Sequence, residues 1–198
     1  MTLQDPGYFL LTRTVLYTAP VDEPAPVNTL AGLDTPAGNW TILGHIADET
    51  ADGNVVFTRD GGDVTTKGSI TKRAIRSVVE PVDTGFDVDV TQFTRGPLAL
   101  YTGTTGGAVA GVFEVGSGED GLTTETAVLV VWEDGTKRVG LYAPRVAWSG
   151  RDNIDTASIE DAIRLPLHAG FLDSNTVNTA AGKPLRYKWL SPTLLALS

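Results

Sequence analysis

The chain has 198 residues, of which 41% are hydrophobic and 20% charged, and this apolar content excludes general disorder. Because it contains no cysteine, disulfides, thiolate metal sites and a cysteine nucleophile are excluded as well. The formal net charge of −9, with 15 basic residues against 24 acidic ones, argues against a protein that wraps DNA tightly.

The N-terminal segment contains one predicted strand, residues 9–17. It is too short to cross a membrane and is interrupted by Arg13, and residues 1–6 lack the basic run of a secretory signal. Residues 19–26 carry regularly spaced prolines and are predicted to be an extended arm. Two interpretations of this arm stay open: a flexible tail, or an arm that orders only against a neighbouring subunit.

Strands are also predicted at residues 40–47 and 54–59. The Asp60-Gly61-Gly62-Asp63 sequence is typical of a hairpin turn. Residues 63–80, rich in β-branched side chains, are then expected to form one long strand. Its hydrophobic alternation changes phase, which indicates a bulge or an element shared with a neighbour.

The clearest alternation lies at residues 86–90, where every second side chain is apolar. Phe86, Val88 and Val90 are expected to face a core, and Asp87 and Asp89 to face water or a lumen.

The rest of the chain is predicted as a series of local elements. A short helix is expected at 96–101, and a glycine-rich loop at 103–124 that contains a short strand at 112–115. Strands are expected, in chain order, at 126–132, 138–143, 144–149 and 159–171, with a hairpin turn at Asp134-Gly135. A helix starting near Ser158 is the alternative for the last strand. Residues 173–198 are interpreted as a tail or a capping strand.

Catalytic and cofactor motifs are weak in this sequence. The glycines at 106–111 are not followed by a helical pattern, so they do not predict a dinucleotide site. His45 and His168 are far apart in sequence, and nothing singles out a catalytic trio. No enzyme activity, cofactor or metal is therefore predicted.

A carbohydrate-binding or glycoside-hydrolysing β-sandwich is the main alternative. Asp87 and Asp89 would be about 7 Å apart on one strand face, a separation that suits a pair of catalytic carboxylates. Exposed aromatic side chains could bind sugar, although tryptophans are more often buried; the four tryptophans are Trp40, Trp132, Trp148 and Trp189.

A series of short motifs between residues 36 and 103 resembles the siphophage major tail tube proteins, the lambda-like tail tube family. Their order and spacing carry the resemblance, which consists of Trp40-x-x-x-Gly44-His45, Gly61-Gly62, Thr66-Lys67-Gly68-Ser69, Arg73-Ala74-Ile75-Arg76 and Leu98-x-Leu100-Tyr101-x-Gly103. Another virion β protein, such as a head decoration or tail terminator protein, is the third possibility.

The resemblance implies a mainly β fold: an antiparallel β-sandwich or barrel with one short flanking α-helix and extended loops or arms. It implies that six copies form a ring with a shared inner β-barrel, and that rings stack into a tube through which double-stranded DNA passes. The implied partners are other copies of the chain, the tape measure protein, and the tail terminator and distal tail proteins. The implied location is the virion tail, and the host cytoplasm during assembly.

The chain is expected to divide into an N-terminal strand and proline-rich arm at 1–39, the tail-tube β domain at 40–172, and a C-terminal tail or capping strand at 173–198, the last interpreted from its own residues. The resemblance implies roles for particular elements. The hairpin at 53–80 and the strand at 85–93 are candidates for the tube wall, and the loop at 47–53 and the arm at 18–38 for contacts between rings.

Charged residues supply the candidate functional positions. An acidic lumen would keep DNA mobile, because a basic wall would bind each phosphate, and the lumen-facing candidates are Asp60, Asp63, Asp87 and Asp89. The candidates for contacts between subunits are Arg73, Arg76, Asp48, Glu49 and Asp52. Ordinary solvated residues are the alternative for the four lumen candidates, and a solvated strand is the alternative for Arg73 and Arg76.

Overall fold

A computed structural model describes residues 11–44, 55–67, 76–118, 122–154, 163–192 and 195. The strands are β1 Arg13–Ala19, β2 Thr41–Ile42, β3 Val56–Gly61, β4 Val64–Lys67, β5 Arg76–Val79, β6 Val82–Val90, β7 Thr124–Asp134, β8 Lys137–Gly150, β9 Leu165–Phe171 and β10 Lys188–Leu190. The helices are α1 Leu30–Asp34 and α2 Arg95–Thr102. The mainly β, antiparallel class expected from the sequence is confirmed.

Eight strands form one antiparallel sheet in the order β2-β1-β7-β8-β9-β6-β3, with β10 paired to β8 beside this path. The central strand β7 has both faces covered, and Ala127–Val131 are all at most 1% exposed. This burial is why its sequence is apolar at every position, as expected for residues 126–132. Residues of alternate parity on β7 thereby belong to two separate hydrophobic clusters.

The larger cluster joins both halves of the sheet. Leu16 of β1 and Phe86 of β6 belong to the same cluster although three strands separate them in the sheet. The sheet therefore bends so that its halves face each other across this core. The alternation at 86–90 is confirmed, because Phe86, Val88 and Val90 are at most 1% exposed.

Strand β8 is the element that both halves share. Its first part pairs with β10 and its last part with β9, while β7 runs along the other edge. A register shift between Thr126 and Val128 of β7 marks the irregularity near Pro144 of β8. The two strands predicted at 138–143 and 144–149 are thus one strand, because a bulge lets the backbone bend without ending the ladder.

The predicted hairpin turn at 60–63 and the long strand at 63–80 are both wrong. β3 pairs with β6, and β4 pairs with β5, in one unbroken register from Val56 opposite Asp87 to Lys67 opposite Arg76. The chain thus leaves the sheet as a two-stranded ribbon and reverses between residues 67 and 76.

Gly61 and Gly62 lie inside this ribbon and bend it. Both have positive φ values, 81° and 83°, and a Cβ at Gly61 would lie 2.2 Å from the carbonyl oxygen of Pro81. Only glycine fits such a position. Below, "the projecting ribbon" means residues 63–67 and 76–80, beyond this bend; the backbone N–H of Glu80 donates to the carbonyl oxygen of Asp63 at its base.

The arm predicted at 18–38 is not extended throughout. It contains α1, which Thr29 caps by accepting a hydrogen bond from the N–H of Gly32 at 3.0 Å, and whose Leu33 is fully buried. The phenol of Tyr142 donates to the carbonyl oxygen of Glu23 at 2.7 Å, and Ser174 donates to Asp22 at 2.6 Å. The chain's own sheet holds this segment, a long-range contact that local proline spacing does not reveal.

The flanking helix predicted at 96–101 is confirmed as α2, and Gly103 ends it in the left-handed conformation with φ 78°. The loop that follows is irregular as expected, but its described part, up to residue 118, has no strand at 112–115. The strand predicted at 9–17 lies at 13–19, that at 40–47 is reduced to Thr41–Ile42, and that at 159–171 lies at 165–171 within the described chain. In the C-terminal segment, β10 pairs with β8 at residues 140–142.

Candidate functional site

The exposed face of strands β3, β6, β9 and β8 is shallow because small residues cross it in one row. The register places Thr58, Gly85, Gly170 and Ala147 side by side on these strands. Thr58, Gly170 and Ala147 line a groove of about 400 Å³, which is bordered by polar side chains that include those of Asp60, Asp83 and His168. A Cβ at Gly85 would lie 2.5 Å from the carbonyl oxygen of Ala169, so the neighbouring backbone approaches too closely for a larger residue.

The next two rows on this face hold two of the predicted acidic residues, Asp87 opposite His168 and Asp89 opposite Pro166. Nδ1 of His168 lies 2.6 Å from Oδ1 of Asp87, its direct neighbour in the register. Arg151 lies 3.5 Å from Asp87 and 2.9 Å from Asp89. As the alternation predicted, the two carboxylates share one face, and one guanidinium joins them there.

Sequence reasoning did not single out Arg151. It comes directly after β8, where its backbone N–H donates to the carbonyl oxygen of Pro166, opposite Asp89 on β9 and β6. Only this long-range pairing brings it to the acids, and no local pattern indicates it. Asp87, Asp89 and Arg151 together carry one net negative charge.

Asp60 and Asp63 have a different environment. Asp60 lies directly opposite Asp83, and Asp63 lies opposite Glu80 in the continued register. All four side chains are exposed, and none forms a salt bridge with another described residue. Two acidic cross-strand pairs therefore lie where β3 and β6 lead into the projecting ribbon. The sequence analysis had identified one member of each pair.

The predicted contact residues lie at the other end of this ribbon or outside the described chain. Arg76 is opposite Lys67 at the last described pair of the ribbon. Arg73, Asp48, Glu49 and Asp52 fall outside the described residues, as does His45. The last described pair of this two-stranded ladder is thus positive, whereas the pairs 60/83 and 63/80 are negative.

The side chain of Arg95 holds the loop at 103–118, a role that the sequence did not indicate. The guanidinium of Arg95 donates to the carbonyl oxygens of Thr105, Gly106, Gly107, Val109 and Val112. It also lies over the ring of Phe113, 5.8 Å from its centre. One side chain on α2 therefore fixes a loop that has no regular hydrogen-bond ladder of its own.

The tryptophans do not form a sugar-binding platform beside the acids. Trp148 and Trp40 are at most 9% exposed, and the Nε1 of Trp148 donates to Thr126 at 2.7 Å. Trp132 stacks on Trp189, with ring centres 5.6 Å apart, and together with Leu11 and Val139 they line a separate cavity of about 310 Å³. The acid pair of the carbohydrate alternative is already bound to Arg151.

Within the described ranges, no three or more histidine, aspartate or glutamate side chains come close enough together to hold a metal ion. None of the helices in this part of the chain has the length and apolar character needed to span a membrane.

Known proteins are similar in sequence to this chain over most of its length. A family model described as phage tail tube protein matches residues 1–196. The major tail protein Gp23 of Mycobacterium phage D29 is 34% identical over 166 residues, which cover 83% of this chain and 76% of the relative. The protein of the same name from Mycobacterium phage L5 is 36% identical over 141 residues, covering 70% of this chain and 67% of the relative.

Proposed function

Because the chain belongs to the phage tail tube protein family and is a structural subunit of the virion tail, we propose that six copies close into a ring and that rings stack into a tube for double-stranded DNA. The observation that carries the proposal is a fold with open strand edges. β3 ends the sheet on one side, β2 ends it on the other, and the projecting ribbon has no further strand beside it among the described residues. Closure into a ring removes such edges.

The exposed face of β3, β6, β9 and β8 is the proposed lumen wall. Its central row of small residues gives DNA a smooth surface, and its charged residues are mostly acidic. The proposed lumen-facing acids are Asp60, Asp63, Asp87 and Asp89. Asp60, together with its neighbour Asp83, supplies negative charge that no described cation balances, whereas Asp87 and Asp89 are held in place by Arg151. Repulsion between this wall and phosphates keeps the DNA from binding.

Contacts between copies involve the charged loop and the ribbon. Asp48, Glu49, Asp52, Arg73 and Arg76 are the proposed residues. The loop at 47–53 and the arm at 18–38 are proposed to meet the adjacent ring, and residues 53–80 and 85–93 to contribute to the shared inner barrel. The division into 1–39, 40–172 and 173–198 stays a prediction. Assembly takes place in the host cytoplasm, with the tape measure, tail terminator and distal tail proteins as partners.

Electron microscopy of the purified chain tests this function. The protein is concentrated alone and, in parallel, co-expressed with the tape measure and distal tail proteins of its phage. Hollow tubes with a regular axial repeat and six-fold end views are expected. Solid fibres, or a protein that stays monomeric in both preparations, would contradict the proposal.

A further inference from the structure

The projecting ribbon carries an ionic pattern that is unfavourable within one chain. At its base Asp63 lies opposite Glu80, and at its last described pair Lys67 lies opposite Arg76. Like charges directly opposite each other destabilise an antiparallel pair. The ribbon thus has a negative pair and, four residues further along, a positive pair.

The same ribbon exposes apolar side chains between its charged pairs. Val64 lies opposite Val79, next to the negative pair, and these side chains are 64% and 60% exposed. A two-stranded ribbon in water is marginally stable by itself. Exposed valines on a ribbon with two open edges indicate a surface that another molecule covers.

We propose that the ribbons of neighbouring copies lie side by side with a stagger of four residues, so that the positive pair of one copy meets the negative pair of the next. This inference rests on the proposed ring. The occupant is a second copy because the charges complement those of the ribbon itself, and four residues correspond to about 13 Å along a strand.

The stagger follows from the geometry of closure. When ribbons point in the same direction, β4 of one copy runs antiparallel to β5 of the next. A four-residue shift then places Lys67 beside Glu80 of the neighbour, or, with the opposite tilt, Arg76 beside Asp63. Strands that close into a barrel must tilt and stagger, and here the stagger also adds an attractive contact between copies beside the repulsive pairs within each ribbon.

Charge reversal tests this contact in protein that already forms tubes. Asp63→Lys with Glu80→Lys, and separately Lys67→Glu with Arg76→Glu, are each expected to raise the concentration needed for assembly by about tenfold, since ion pairs at such sites contribute up to about 1 kcal/mol each. The variant with all four changes is expected to return near the wild-type value, because both partners are reversed. Lys183→Glu, an exposed change away from the ribbon, is the matched control.

Disulfide trapping distinguishes the stagger from other arrangements. The chain has no cysteine, so Lys67→Cys with Glu80→Cys, or Asp63→Cys with Arg76→Cys, adds the only thiols. Within one ribbon the two sulfurs of either variant are about 13 Å apart, too far to bond. Oxidised tubes of one of these variants should give a ladder of covalent oligomers longer than a dimer.

Three outcomes would overturn the inference while leaving the tube itself intact. The first is wild-type-like assembly of both charge-reversed variants. The second is a four-fold variant that assembles no better than either two-fold variant although its thermal unfolding is unchanged. The third is disulfide cross-linking that yields covalent dimers but no longer oligomers, which would indicate that ribbons pair about a two-fold axis. Absence of tubes from the wild type would instead contradict the proposed function.

Discussion

Asp60 lies directly opposite Asp83 in the antiparallel register of β3 and β6, and both side chains are exposed. Two carboxylates at this separation repel each other unless salt or a cation screens them. The pair therefore makes the fold slightly less stable than a neutral pair would. Neither side chain forms a salt bridge with another described residue, so the pair adds two negative charges to the proposed lumen wall.

Removal of one charge from this pair should stabilise the isolated chain. Asp60→Asn is expected to raise the free energy of unfolding by about 0.5 kcal/mol in low salt, because it removes the repulsion from Asp83. The gain should disappear near 1 M salt, where the screening length falls to about 3 Å. Urea unfolding at both salt concentrations measures it, and Glu114→Gln, an exposed acid outside the strands, serves as control. An equal gain at both concentrations would exclude repulsion as its cause.

Reversing the charge of both Asp60 and Asp83 tests whether these residues face the lumen. Asp60→Lys combined with Asp83→Lys is expected to leave tube formation intact and to slow DNA release from the virion, because each new cation can bind a passing phosphate. Release is followed in a phage that carries the variant, at low and high salt. Asp87 and Asp89 are less suitable for this test, because lysines there would also break the contacts with Arg151. Normal release at low salt would place the pair outside the lumen.

The glycine-rich loop should depend on one arginine. Arg95→Met removes the donors for five carbonyl oxygens of residues 105–112, and a lost hydrogen bond to a charged group costs about 1.5–3 kcal/mol when it is shielded from water. Arg95 is exposed, so a smaller loss of overall stability is expected, together with rapid cleavage of the loop by proteases. Lys183→Met is the control. Cleavage at the wild-type rate would show that the glycines alone fix the loop.

Stability at alkaline pH should depend on Tyr142. Burial is the main cause that raises the pKa of its phenol above the usual value, so the folded state keeps the proton that the unfolded chain loses above about pH 10. The free energy of unfolding therefore falls as the pH rises past 10.

Tyr142→Phe isolates this effect. At pH 8 it should lower the free energy of unfolding by about 1 kcal/mol, through loss of the bond to Glu23. At pH 11 the difference from the wild type should shrink or reverse, because phenylalanine has no proton to lose. Urea unfolding at the two pH values provides the comparison, and a difference that does not change with pH would be inconsistent with this explanation.

Two glycines should respond oppositely to the same substitution. Gly85→Ala places a methyl group 2.5 Å from the carbonyl oxygen of Ala169, and such overpacking costs about 1–3 kcal/mol. Gly96 lies in α2 with nothing within 4 Å of its added Cβ, so Gly96→Ala should stabilise the fold by up to about 1 kcal/mol. Thermal unfolding of the two variants separates the effects, and similar shifts in both would contradict the close approach at Gly85.

Local patterns in the sequence predicted the elements whose signal is local. The alternation at 86–90 gave a strand with the correct buried face, and Pro97 with Gly103 marked α2 at both ends. The continuous apolar run at 126–132 indicated burial on both faces, and Asp134-Gly135 identified the hairpin between β7 and β8.

Pairing between distant strands was beyond local reasoning. Asp60-Gly61-Gly62-Asp63 has the composition of a turn, yet it bends a ribbon whose register continues. For the same reason Asp83, Glu80 and Arg151 were not recognised as neighbours of the predicted acids. Leu33 on α1 was missed because a helix of five residues is too short to show a periodic hydrophobic pattern in the sequence. Its side chain is buried by contacts with distant parts of the chain, which the local sequence does not reveal.

Strand β8 pairs with β7 along one edge and is divided between β10 and β9 along the other. Neither half of the sheet can come apart without exposing hydrogen bonds and apolar surface that belong to the other. We therefore expect this sheet to unfold cooperatively, in a single thermal transition.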